Sequence, residues 1–142
     1  MFRVVMMLIL ATALQACDLI SDPNTLSESD SAELISRVEQ RWYALEDKDF
    51  GRAYEYTTPN YRRVFSKMLY INKFSYGVEW ELTGVEVVNY DAPAAVASVA
   101  VRVMSKPAKQ TSTASIAIGA TPVTLREKWI KTEGEWWHIA KD

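Results

Sequence analysis

Two side chains stand out because each is the only one of its kind: Cys17 is the single cysteine and His138 the single histidine. A thiol can serve as nucleophile, metal ligand, disulfide partner or acylation site. Without a second cysteine an intramolecular disulfide is excluded, and one Cys with one His cannot assemble a usual zinc site. Imidazole titrates near neutrality, so His138 is the natural acid–base candidate. It falls in Trp136-Trp137-His138-Ile139, a strand-like stretch that puts His138 on the side of Trp136 and Ala140. Trp137 and Ile139 take the other side. No carboxylate is locally spaced to orient it, and an ordinary surface or strand-end histidine is expected.

The carboxylates divide in the same way. Asp49 reads as a helix cap and Asp91 as a turn residue, while Glu79, Glu81, Glu86 and Glu127 sit where outward alternation accounts for them. Gly-rich phosphate loops and nucleophile elbows are missing. No catalytic residue, metal or cofactor is therefore assigned. The aromatics remain, with five Trp and seven Tyr in 142 residues. Most such side chains build a core. Trp42, Tyr54, Tyr61, Tyr70, Trp80 and Trp129 are the candidates to line an apolar pocket instead.

Cys17 gains meaning from what precedes it. Behind Arg3, residues Val4 to Leu14 are apolar except for Thr12. That is the length of a secretory signal and short of the roughly 20 residues a transmembrane helix needs. Leu14-Gln15-Ala16-Cys17 resembles the lipobox of bacterial lipoproteins. The resemblance implies a signal peptide over 1–16, cleavage before Cys17 and a diacylglyceryl group on its sulfur. Two or more acyl chains make anchoring effectively stable. Asp18 resembles a retention signal for the periplasmic face of the inner membrane, with the outer membrane as the alternative.

The formal charge of −2 and the lack of a basic run exclude nucleic acid as an evident partner. No polybasic patch exists for membrane attachment either, which leaves the lipid to do it. Residues 17–29 are polar, contain Pro23 and Asn24, and read as the lipidated Cys with a tether. Residues 30–142 are the size of one domain.

Within that domain, Asp30 and Glu33 have capping-box spacing. Leu34, Ile35, Val38, Trp42 and Leu45 then form an apolar stripe, with Arg37, Gln40 and Arg41 among the residues assigned to the opposite face. A second helix is expected from Asp49 to Thr57, and a third opens at Pro59 with Tyr61, Val64, Phe65, Met68 and Leu69 on one face. The period then changes to two. Strands are predicted over 79–90 with a bulge at Gly84, and over 95–104, 121–131 and 136–141, with 106–120 as a mobile connection or a frayed hairpin. Helices followed by a strand meander signify an α+β domain.

This order resembles the NTF2-like, or cystatin-like, superfamily, in which three N-terminal helices pack on a curved antiparallel four-stranded sheet. Trp42-Tyr43-Ala44-Leu45, Asp49-Phe50-Gly51-Arg52-Ala53-Tyr54 and Thr58-Pro59-Asn60-Tyr61 carry the likeness, with Arg126-Glu127-Lys128-Trp129 and Gly134-Glu135-Trp136-Trp137-His138-Ile139. The resemblance implies a cone-shaped pocket between helices and sheet, but no single activity. The favoured expectation is a non-catalytic envelope lipoprotein that binds a small hydrophobic ligand or a protein partner, with a homodimer allowed. The alternatives are a small isomerase or dehydratase working in the cone, or a scaffold of an envelope assembly.

Overall fold

The computed structural model describes residues 22–141. The signal segment, Cys17 and Asp18 lie outside the described residues, as do the tether up to residue 21 and Asp142.

Helix α1 (Glu28–Glu46) is capped by Ser27, three residues before the expected cap Asp30. Ser27 Oγ accepts from the Asp30 N–H at 3.1 Å, satisfying one of the free donors of the first turn. Asp30 and Glu33 are thereby released from capping. Both turn toward Lys131, whose Nζ lies 2.6 Å from Asp30 and 3.4 Å from Glu33. The end of the expected tether is likewise structured. Thr25 N–H bonds the Asp22 carbonyl, Asn24 Oδ1 accepts from Ala92 N–H at 3.3 Å, and Leu26 packs on the core.

Asp49 caps α2 (Phe50–Tyr54) through a 2.9 Å bond from Arg52 N–H. Pro59 opens α3 (Pro59–Val64) as expected. The single long third helix does not form. Phe65 is extended and Ser66 caps a separate helix, α4 (Lys67–Ile71). Four helices thus precede the sheet instead of three. The break turns Tyr61 and Tyr70 inward and leaves Val64, Met68 and Leu69 exposed. The Tyr54 hydroxyl holds the break by donating to the Phe65 carbonyl at 2.7 Å.

Strands β1 (Val78–Asp91), β2 (Val96–Pro107), β3 (Thr121–Thr132) and β4 (Glu135–His138) form one antiparallel sheet in chain order. Between β2 and β3 a short helix, α5 (Thr113–Ile118), stands where a mobile connection was expected. The register of β1 shifts between Leu82 and Gly84 and again between Val87 and Asn89. Each extra residue reverses which parity faces inward. Trp80, Leu82, Val85, Val87 and Tyr90 can all reach the core as a result. Glu133 and Gly134 both have positive φ, the requirement of a two-residue hairpin loop between β3 and β4. β4 pairs only with Trp129–Thr132, so the rest of the outer side of β3 has no strand beside it among the described residues.

Leu34, Val38, Trp42 and Leu45 of α1 share one core with Ala97, Val99, Val101 and Val103 of β2, and α1 packs chiefly against β1. The fold is α+β with a four-stranded antiparallel sheet.

Candidate functional site

Two residues assigned above to solvent meet at the centre of the fold. Arg41 follows Val38 by three residues and precedes Leu45 by four, so a helix sets it inside the apolar stripe. Glu127 alternates with Leu125 and Trp129, so the pleat turns it inward with them. Both are buried, with side chains 6% and 8% exposed. Arg41 Nη1 donates to Glu127 Oε1 at 2.7 Å, and Trp42 Nε1 donates to the same oxygen at 3.0 Å. Trp129 Nε1 donates to Oε2 at 2.9 Å. Arg41 Nη2 also reaches the Tyr70 hydroxyl at 3.4 Å. Burial opposes the Arg41 charge, but Glu127 and Tyr70 outweigh it and the pKa rises above its ordinary value. A carboxylate held by three N–H donors, one of them a guanidinium, is a fixed counter-charge.

Beside this pair, between α1, the start of β1 and the edge of β3, lies a pocket of about 360 Å³. That is at the small end of the range for ligand sites. Its apolar wall is Trp42, Leu45, Phe74, Trp80, Leu125 and Ile139. Trp42 and Trp80 meet edge to face with centroids 6.1 Å apart. The polar wall holds the Arg41–Glu127 pair, His138 and three further cations, Arg126, Lys128 and Lys141.

His138 stands at the end of β4, as the strand-end reading expects, but it is buried, at 9% exposed, and not a surface residue. β4 pairs it with Trp129, whose ring centre is 5.4 Å from its own. Its backbone is clamped by the α2–α3 connection, with His138 N–H on the Tyr56 carbonyl at 2.7 Å and Thr58 N–H on the His138 carbonyl at 3.2 Å. Nδ1 has no hydrogen-bond partner among the described residues. Burial, then the positive charges of Arg41 and Lys141, hold its pKa well below the usual histidine range. His138 is therefore neutral at pH 7 and a feeble proton acceptor. Trp137, on the opposite face as expected, lies between the guanidinium groups of Arg37 and Arg62, each 5.0 Å from its ring centre.

Of the six aromatics expected to line a pocket, Trp42 and Trp80 do so. Trp129 is fully buried behind it and orients Glu127. Tyr70 touches Arg41 from below. Tyr54 and Tyr61 instead form an aromatic cluster with Tyr70 and Phe65 among α2, α3 and α4. Among the described residues no three His, Cys, Asp or Glu side chains converge to hold a metal, and no helix is long and apolar enough to cross a membrane.

No protein-family model and no curated protein matches the chain. The fold is similar to the solution structure of a SEC-C motif containing protein from Rhodopseudomonas palustris. The TM-score is 0.50 at 17% identity, over 78% of this chain and 77% of that one. At that identity the likeness concerns the fold alone.

Proposed function

We propose that this is a non-catalytic binding domain of the NTF2-like type, which takes a small apolar ligand between α1 and the sheet. The lipid on Cys17 holds it at a bacterial envelope membrane, with Asp18 favouring the periplasmic face of the inner membrane. The pocket beside Trp42 and Trp80 carries the reading. It has one largely apolar wall and an opposite wall with polar groups to fix orientation, the usual composition of a ligand site. Helices first, α1 laid across the sheet and a pocket at one end support the NTF2-like assignment.

A second reading is an isomerase-type enzyme, favoured by one observation: the only histidine lines the pocket. It stands second because His138 is a poor base and Glu127 is immobilised by its three donors.

The test is native mass spectrometry of protein purified from its own host, beside a titration of the full chain with octan-1-ol followed through Trp emission. A retained small molecule, or saturable emission change that is lost when Leu125→Trp fills the pocket, supports the binding reading. A pocket that retains nothing, with emission unresponsive to octanol, would overturn it.

A further inference from the structure

The sheet face turned away from α1–α4 carries a group of cations that no basic run in the sequence announces. Arg126 and Lys128 alternate with the inward Leu125, Glu127 and Trp129, so both project from the outer face, and both are exposed. On β2, Arg126 stands beside Ala100 and Lys128 beside Ser98, which pairs in turn with Asn89 of β1. The segment after β4 is tied to β3 by Ile139 N–H on the Lys128 carbonyl at 2.8 Å and brings Lys141 to the same place. The three cations border a depression of about 290 Å³ with Val88, Asn89 and Ser98. None of them has an ion-pair partner among the described residues. The nearest acids are already engaged, Glu86 with Arg102 at 3.1 Å and Glu127 with Arg41 on the inner side. Val88, the extra residue of the second β1 bulge, lies exposed beside them.

The chain enters the domain at this point. Asn24, Thr25 and Leu26 line a groove with Val87, Val88, Asn89 and Tyr90, so Val88 and Asn89 border both the entering chain and the cations. Asp22 is five residues from Cys17, a reach of at most about 18 Å even when fully extended. A lipid on Cys17 therefore keeps this corner of the sheet close to the bilayer.

We infer that the outer sheet face rests on anionic phospholipid headgroups of that bilayer, with Arg126, Lys128 and Lys141 against the phosphates and Val88 toward the interface. The inference rests on the lipid-anchor reading and is independent of the pocket. An acidic protein would match the charge equally, but the bilayer is the partner that the entry point of the chain brings within reach. Each cation held near an anionic surface is worth about fivefold in population, so three favour this orientation roughly a hundredfold. Headgroup contact is lost as salt screens it.

The mature acylated chain, with one introduced thiol carrying a spin label, tests the orientation in vesicles of phosphatidylcholine with or without phosphatidylglycerol. Val88→Cys marks the outer face and Met68→Cys, at an exposed position of α4, marks the helical side. Collisions with a water-soluble nickel chelate report exposure. On anionic vesicles the label at Val88→Cys should lose its collisions roughly tenfold, while that at Met68→Cys keeps them. Neutral vesicles, added salt, or the triple variant Arg126→Gln, Lys128→Gln, Lys141→Gln should each restore them. The three positions are exposed, and thermal melting checks the fold of the variant. Equal exposure of the outer face on both kinds of vesicle, or shielding of the helical side instead, would overturn the inference and leave the anchor standing. Shielding of the outer face that persists on neutral vesicles or in the triple variant would also overturn it, because a protein or a second copy would then be the cover. An intact mass without lipid on Cys17 would remove the anchor reading and this inference together.

Discussion

Removing the Glu127 side chain charge would strand the Arg41 guanidinium in the core. Breaking a buried pair from one side costs about 3–5 kcal/mol, a large share of a domain's usual margin of about 5–15 kcal/mol. Glu127→Leu should therefore lower the melting temperature sharply. The double variant Arg41→Leu, Glu127→Leu should recover much of the loss, since apolar groups of similar size often replace such pairs at little cost. Urea denaturation of the wild type, the double variant and both single variants, Arg41→Leu included, measures the coupling. His138 gives a second signature. Its pKa lies well below 6.5 in the folded chain, so the unfolded chain binds the proton more readily. Stability is thus independent of this group above about pH 6.5 and falls as pH drops below it. His138→Phe should flatten that slope, whereas an unchanged profile would show that other groups set it. Neither Arg41, Glu127 nor His138 was assigned to the interior by residue type, because charge was read as a mark of solvent. Position would have found them. Arg41 sits at helical spacing between Val38 and Leu45, and Glu127 alternates with Leu125 and Trp129.

At the scale of elements, caps decide where the chain was legible. Asp49 and Pro59 act as their residue types suggest. At α1 the spacing pointed to Asp30, whereas Ser27, three residues earlier, caps the helix and Asp30 accepts from Lys131, a partner 101 residues away. Ser66 was passed over inside an apolar run, although a serine there can halt one helix and start the next. The first β1 bulge was foreseen at Gly84 and falls next to it, with Thr83 as the extra residue, whereas the second, at Val88, has no such marker. A chain starting at Asp30 loses the Ser27 cap, worth about 0.5–2 kcal/mol, with the Leu26 contacts and the Asn24 bond to Ala92. It should melt below a chain starting at Asp22. Equal melting of the two would show that residues 22–29 contribute nothing to the fold.

For the whole molecule, the lipid reading of Cys17 is tested in the native host. Cys17→Ser should leave uncleaved precursor or release the domain in soluble form, because the described residues offer no membrane-spanning helix. Fractionation with membranes after normal maturation would defeat the proposal. The proposed lipid anchor would concentrate the protein in two dimensions, which makes the outer side of β3, with no strand beside it before Trp129 among the described residues, consequential. An open strand edge is a template on which neighbouring copies can stack. Two features cap this one. Pro122 has no N–H to offer, and Ile139 already occupies the Lys128 carbonyl at 2.8 Å. The adhesive length between them is only Val123 to Glu127. The segment after β4 thus shortens the open edge as well as walling the pocket.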